Sequence, residues 1–280
     1  MKAGMIGLGA MGLGMARNLA KAGYLSAVYN RTAAKTTEFK MPAYPSPEAL
    51  AAEVDIVLIC VSADQDVLDI VDAIAKTIKP GAIVVDMSTV SSETAKKAAA
   101  ILAEKQTAFL DAPVSGGVEG AKNGTLAMMV GGDGEALEKA RPVLAAMTSR
   151  IMHMGATGSG QATKAVNQVM CAGINQAVTE ALAFAQAQGL AMDKVIDVIS
   201  GGASGNWFLE HRGSTMTHGT FASGFKLALH HKDLKICQEM AAQTGFLIPL
   251  TDITVSDYEQ LMIKGYGDED ISALYRLKKR

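Results

Sequence analysis

Six residues near the middle of the chain have the types and spacing to move a proton: Gly155, Gly158, Gly160, Lys164, Asn167 and Gln168, in the run GATGSGQATKAVNQ. A glycine-rich loop opens there into a long helix-favouring stretch. Lys164 falls near the helix start, where aligned peptide dipoles are positive and an ammonium gives up its proton more readily. Asn167 and Gln168 follow three and four residues later and share its face of the helix. A lysine beside two amides supplies a proton donor and acceptor together with groups that hold a small polar substrate. A solvated lysine at a helix start has the same local sequence, since lysine is mostly exposed. The rest of the chain has to separate the two readings.

The N-terminus supplies a second constellation. An apolar strand over residues 2–6 is followed by Gly7-Leu8-Gly9-Ala10-Met11-Gly12, a helix-favouring run from Leu13 to Lys21, a stop at Gly23 and a second strand from Leu25 to Tyr29. In a strand, glycine loop and helix of this spacing, the first glycine makes the tight turn and the second lets a pyrophosphate touch backbone. The third lets helix and strand pack closely, and the helix N-terminus attracts the anion. The order and length of the elements raise this above an isolated glycine turn. The second strand ends at Asn30-Arg31-Thr32, with no acid between the glycine loop and Glu38. NAD sites place an acid there for the ribose hydroxyls, whereas a guanidinium and a hydroxyl suit a 2′-phosphate. NADP(H) is therefore the expected cofactor, ahead of NAD; a solvated Arg31 at a strand end is the plain alternative.

Other strand ends offer further groups. Residues 40–47 hold three prolines, SPEALAAE reads as a capped helix, and Asp55–Val61 as a buried parallel strand ending at Val61-Ser62-Ala63, where such sheets contact a cofactor. A helix from Asp64 to Lys76 and a strand from Ala82 to Met87 lead to Ser88-Thr89, whose hydroxyls also suit helix N-caps. After a helix to Glu104 and a strand from Ala108 to Asp111, Ser115-Gly116-Gly117 place a hydroxyl before two unobstructed amides. That is a neutral cradle for a small carboxylate, or a flexible turn. Asn123-Gly124 reads as a tight turn before a strand from Leu126 to Gly131, with a helix from Gly134 to Met147 and a last strand from Arg150 to Met154. Strands then cease. The alternation predicts an α/β N-terminal domain, Rossmann-like, with a mostly parallel sheet and helices on both faces.

From Gln161 to Gln188 the sequence is apolar on nearly every face, which predicts one long helix buried between partners. Further helical patterns fill the remainder. The expected organisation is residues 1–160 for NADP and residues 161–280 as an all-α domain for substrate and oligomerisation, joined by a long helix over about 161–189. A homodimer or homotetramer would bury the apolar helix.

Composition sets limits. Of 280 residues, 49% are hydrophobic and 19% charged, with a net charge of −2; such a chain can bury a full core and has no general attraction for nucleic acid or an anionic membrane. Cys60, Cys171 and Cys237 lie far apart in apolar surroundings, which suits buried thiols and a cytoplasmic location. MKAGMIGLGAMG reads as strand and turn rather than a secretory signal. No metal is expected: His230 and His231 with Asp233 are a poor ligand set, because adjacent histidines on a helix point about 100° apart. Disorder is expected only over residues 278–280.

Together GLGAMGLGMARNL, DAPVSGG, GSGQATKAVNQ and HKDL, in that order, resemble the β-hydroxyacid dehydrogenase family, from Met5 to about Tyr258. The resemblance implies nicotinamide hydride transfer between a short β-hydroxyacid and its semialdehyde. It implies Lys164 as the catalytic lysine, Ser115, Gly116 and Gly117 as the carboxylate cradle, and Asn167 as a substrate-positioning amide. It also implies Thr89 as a nicotinamide-side contact and Lys232 of HKDL as a cofactor-side or active-site contact. Many members carry Asn-Asn where this chain has Asn167-Gln168, and the longer amide changes the pocket. Asn30-Arg31-Thr32 is similar to the NADPH-using glyoxylate and succinic semialdehyde reductases of that family. A decarboxylating enzyme of the 6-phosphogluconate dehydrogenase kind and a non-catalytic dinucleotide-binding protein are the alternatives.

Overall fold

A computed structural model describes residues 1–279. The chain divides into two compact units, Met1–Lys164 and the residues from Ala165 onward. The first contains strands β1 (Ala3–Ile6), β2 (Leu25–Tyr29), β3 (Ile56–Ile59), β4 (Ile83–Asp86), β5 (Ala108–Asp111), β6 (Val114–Ser115), β7 (Leu126–Gly132) and β8 (Thr148–Gly155). Between them run helices α1 (Ala10–Lys21), α2 (Pro47–Ala51), α3 (Asp64–Ile74), α4 (Ser92–Ala103), α5 (Gly117–Asn123) and α6 (Gly134–Leu144), with a 3-10 turn at Ala33–Thr36.

The sheet runs β2-β1-β3-β4-β5-β7-β6, with β8 paired to β7. Strands β1 to β5 pair in parallel, as do β7 and β8, whereas β7 is antiparallel to β5 and β6. The mostly parallel sheet of the sequence reading is thus present, with an antiparallel end.

Two-residue alternation explains why each parallel strand reads as an unbroken apolar run: both faces are covered. Met5, Leu58, Val85 and Leu110 join one core with Met15, Leu19 and Leu137. Their neighbours Ile6, Val57, Val84 and Phe109 join the other, with Val67, Val71 and Leu102.

Residues 112–126 depart from expectation. Asn123 and Gly124 end a helix instead of making a hairpin turn, and Gly124 takes the left-handed cap at φ +70°. The same tolerance of positive φ serves both uses, so the dipeptide alone does not choose. Ser115 lies in the short strand β6, opposite Ala127.

The second unit is helical: the greater part of α7 (Ser159–Ala187), then α8 (Met192–Ser200), α9 (Trp207–Thr217), α10 (Leu227–Thr244), α11 (Pro249–Ile263), a 3-10 turn at Ile271–Leu274 and α12 (Tyr275–Lys278). Its core gathers Ala172, Val178 and Leu182 of α7 with Phe208, Leu234, Tyr258 and Tyr275. Other faces of α7 are open. Val166, Met170 and Phe184 are 66%, 61% and 66% exposed, so within one chain the long helix is covered on part of its surface only. Expected disorder at the C-terminus is also corrected for Lys278, which closes α12 with its Nζ 3.4 Å from Asp257; Arg280 lies outside the described residues. No helix among the described residues is long and apolar enough to cross a membrane.

Strands β4 and β5 end side by side in two acids, Asp86 opposite Asp111, both fully buried. Asp86 Oδ1 accepts from Ser88 N at 3.0 Å, whereas Oδ2 has no donor among the described residues. Burial first, and then the neighbouring Asp111 and Asp64, push the Asp86 carboxyl up to about 7, against the opposing hydrogen bonds from Ser88. This carboxyl is raised in the folded chain, so below about pH 4 both states are protonated and it has no effect on stability. Between about pH 4 and 7 the unfolded chain sheds a proton that the folded chain keeps, and the penalty is complete above about 7. Asp86→Asn keeps an acceptor for Ser88 and removes that penalty. It is expected to stabilise the protein at pH 8 by on the order of a few kcal/mol, a gain that vanishes near pH 4. Denaturant titrations at both pH values check this, and an equal gain at both would contradict it.

Candidate functional site

The glycine loop links β1 to α1 as its spacing requires. Gly7 has φ +95°, and a Cβ there would meet Cys60 O at 2.1 Å; one on Gly12 would meet Gly7 O at 2.0 Å. Gly9 differs: a Cβ there would meet nothing within 4 Å. It is the N-cap of α1, with no side-chain cap and no acid in the first turn, so the first backbone N–H groups of that helix have no side-chain acceptor. Such a terminus suits a phosphate. Asn30 braces the loop by accepting from Leu8 N at 2.8 Å and donating to Thr32 O at 3.0 Å.

A groove of about 500 Å³ runs beside this loop, lined by Leu8, Gly9, Ala10, Leu13, Ala34, Lys35, Thr37 and Glu38. The loop and helix start expected to hold a dinucleotide therefore adjoin the segment after β2. Arg31 is 87% exposed at its side chain, with only a 3.4 Å ion pair to Asp66. Glu38 is the acid in the groove wall, and Arg17 engages both its oxygens, the Nη2 to Oε2 bond being 2.8 Å. That hydrogen bonding holds the Glu38 carboxyl below the usual carboxylate range. Lys35 was missed from sequence, although its place four residues after Arg31 was a usable signal.

At the ends of β3 and β4, Val61 N donates to Ser88 Oγ at 2.9 Å. Val61 and Thr89 are half-buried and Ser62 is exposed.

Lys164 is the last residue of the first unit and only 8% exposed. Its Nζ donates to Val114 O at 3.0 Å, the carbonyl next to Ser115. The lysine and the Ser115-Gly116-Gly117 segment are thus brought together across 50 residues of sequence. Gly116 and Gly117 have φ of +131° and +64°, and Gly116 is the N-cap of α5 without a side-chain cap. An ammonium, a hydroxyl and a glycine turn at one place can hold a small oxyanion and exchange a proton with it.

Within the second unit, Asn167 Nδ2 donates to Gln168 Oε1 at 2.8 Å, Gln168 Nε2 donates to Asp233 Oδ2 at 2.6 Å, and Lys232 Nζ lies 2.8 Å from Asp233 Oδ1. Asn167, Gln168 and Lys232 therefore meet through Asp233, whose importance the sequence did not reveal. His230 is buried, its ring bonded to Tyr258 OH and Gln168 O, while His231 faces Glu259 at 3.4 Å.

Residues 2–155 match the family model described as the NAD binding domain of 6-phosphogluconate dehydrogenase. Residues 158–278 match that described as NAD-binding of NADP-dependent 3-hydroxyisobutyrate dehydrogenase. The chain is 39% identical to an uncharacterized oxidoreductase of Shewanella frigidimarina, over 99% of this chain and 98% of that one. It is 35% identical to the NAD-dependent L-serine dehydrogenase of Pseudomonas aeruginosa, over 97% and 96%. Among solved structures it is similar to Mycobacterium tuberculosis 3-hydroxyisobutyrate dehydrogenase with L-serine, with a TM-score of 0.91 and 33% identity over 100% of this chain and 99% of that one.

Proposed function

The chain belongs to the β-hydroxyacid dehydrogenase family, whose members oxidise CH–OH groups with a nicotinamide dinucleotide, and from that premise we propose that it interconverts a short β-hydroxyacid and its semialdehyde with NADP(H), Lys164 moving the proton. The observation that carries the reading is the buried Lys164 ammonium held at Val114 O, beside Ser115. The nicotinamide, when bound, gives or takes the hydride. As the substrate carbonyl oxygen gains negative charge during reduction, an ammonium aimed at it stabilises that charge and then protonates it. In oxidation, neutral Lys164 takes the hydroxyl proton. Ser115, Gly116 and Gly117 hold the substrate carboxylate with a hydroxyl and backbone amides. Asn167 and Gln168, one turn further along the helix, orient the substrate's polar end.

We assign the glycine loop, Gly7 to Gly12, to the pyrophosphate, and Val61, Ser62 and Thr89 to the nicotinamide side. Lys232, fixed by Asp233, supplies a further cation to the cofactor. Arg31 and Thr32, joined by Lys35, receive the 2′-phosphate: Arg31 has only an exposed ion pair to give up, which is worth little, and Arg17 occupies the one acid in the groove wall. This is the basis for NADP over NAD. In this reading residues 1–160 serve the cofactor and residues 161–280 the substrate and subunit association. The open Val166, Met170 and Phe184 are covered in a homodimer or homotetramer, and the enzyme works in the cytoplasm.

Three outcomes are expected. Lys164→Ala lowers turnover by about 10²- to 10⁴-fold while NADPH affinity, followed by fluorescence, stays close to that of the parent. A variant with full turnover would remove the lysine from the chemistry. Arg31→Asp shifts the ratio of kcat/KM for NADPH over NADH towards NADH, and an unchanged ratio would clear Arg31 of the 2′-phosphate. Gly9→Ala adds a methyl to open space with φ −70° at that residue. It should leave the melting temperature unaltered and weaken NADPH binding about tenfold or more, the cost of one unaccommodated methyl against the phosphate.

A further inference from the structure

We infer that Gln161 is a positioning residue for this reaction, fixing the helix that carries Lys164 against the loop that carries Thr89. The inference rests on the reading of Lys164 and Thr89 given above.

Gln161 is a long polar side chain that is only 1% exposed, in the first turn of α7. Its amide Nε2 donates to Ser88 O at 2.9 Å and its Oε1 accepts from Val90 N at 3.3 Å. The one amide thus brackets Thr89 as a neighbouring strand would, taking the carbonyl before it and the N–H after it. The loop is tied onward as well: Ser88 Oγ accepts from Val61 N, and Ser88 N donates to Asp86 Oδ1. The Gln161 backbone N donates to Asp111 Oδ2 at 2.9 Å, so the same residue is pinned at the head of the helix. Lys164 lies three residues on, one turn further along the same face. Its ammonium is therefore located from two directions, by Gln161 one turn before it and by Val114 O at its tip.

Only an amide of this length makes both bonds. A glutamate at neutral pH lacks the donor for Ser88 O, methionine has neither polar atom, and a shortened side chain leaves two buried backbone groups unpaired. Reaction geometry is steep in distance. A displacement of about 1 Å far from the reacting atoms costs on the order of 10²-fold in rate, and a released loop or a shifted helix turn is a displacement of that size.

The test uses the full chain with Gln161→Met, which keeps the volume, and Gln161→Glu, which keeps the acceptor for Val90 N. Hydrogen exchange without cofactor should show the amides of residues 88–91 exchanging faster in Gln161→Met while those of β3 keep their protection. In turnover, kcat should fall by about 10²-fold with the hydroxyacid KM changing less than about threefold. The isotope effect from 4-deuterated reduced cofactor should rise as hydride transfer becomes more rate-limiting, and Gln161→Glu should fall between Gln161→Met and the parent. Parent-like exchange at residues 88–91 would overturn the inference, as would a loss of rate that follows the melting temperature with no change in the isotope effect. Lys164→Ala separates the two levels. Full activity in that variant overturns the reading of the lysine and this inference with it. Loss of activity there, together with parent-like kcat in Gln161→Met, overturns the positioning role alone.

Discussion

The first unit depends on one buried carboxylate meeting one helix terminus. Asp111, at the end of β5, accepts from Gly158 N at 2.7 Å and from Gln161 N at 2.9 Å, and so caps α7 from a distance of about fifty residues in sequence. Burial alone raises the Asp111 carboxyl, and the backbone donors of Gly158, Gln161 and Gly160 act against that rise. The approach requires glycine. A Cβ on Gly160 would meet Asp111 O at 2.4 Å and Met129 O at 2.5 Å, and one on Gly131 would meet Asp111 Oδ1 at 2.5 Å. The motifs DAPVSGG and GSGQATK are therefore two halves of one contact: the first supplies the acid, the second the glycines and amides that receive it. That seating fixes the head of the helix that carries Lys164.

What could be read from the sequence is what repeats or what sits next to its partner in the chain. The alternation of Met5 with Ile6 and of Leu58 with Val57 shows as an apolar run and sorts cleanly onto two faces. Gly7, Gly9 and Gly12 announce themselves because turn, phosphate approach and helix packing are all local demands. Asp111, Gln161 and Asp233 are different. Each is a buried polar residue with a hydrogen-bond partner 47 to 73 positions away, so no period or spacing marks that contact, and burial of a polar group is visible only after the fold is known. The helix α5 escaped for the opposite reason: its ending, Asn123-Gly124, is a strong signal that two structures share.

The long helix shows what composition leaves open. Apolar residues all round α7 suggest enclosure, yet its core contacts lie on the stripe of Ala172, Val178 and Leu182, and Val166, Met170 and Phe184 stay open. Hydrophobicity states that a surface prefers to leave water; it does not state which chain covers it.

The start of the helix that carries Lys164 is itself capped by an acid. Placing Lys164 near a helix start brings the positive end of the dipole to mind, but the dipole's charge resides on the terminal N–H groups, and Asp111 takes two of those at the head of α7. Lys164 is 8% exposed, and its Nζ donates to the Val114 carbonyl at 3.0 Å. The backbone carbonyl gives the Lys164 side chain direction, and Gln161 and Asp111 hold the helix one turn below.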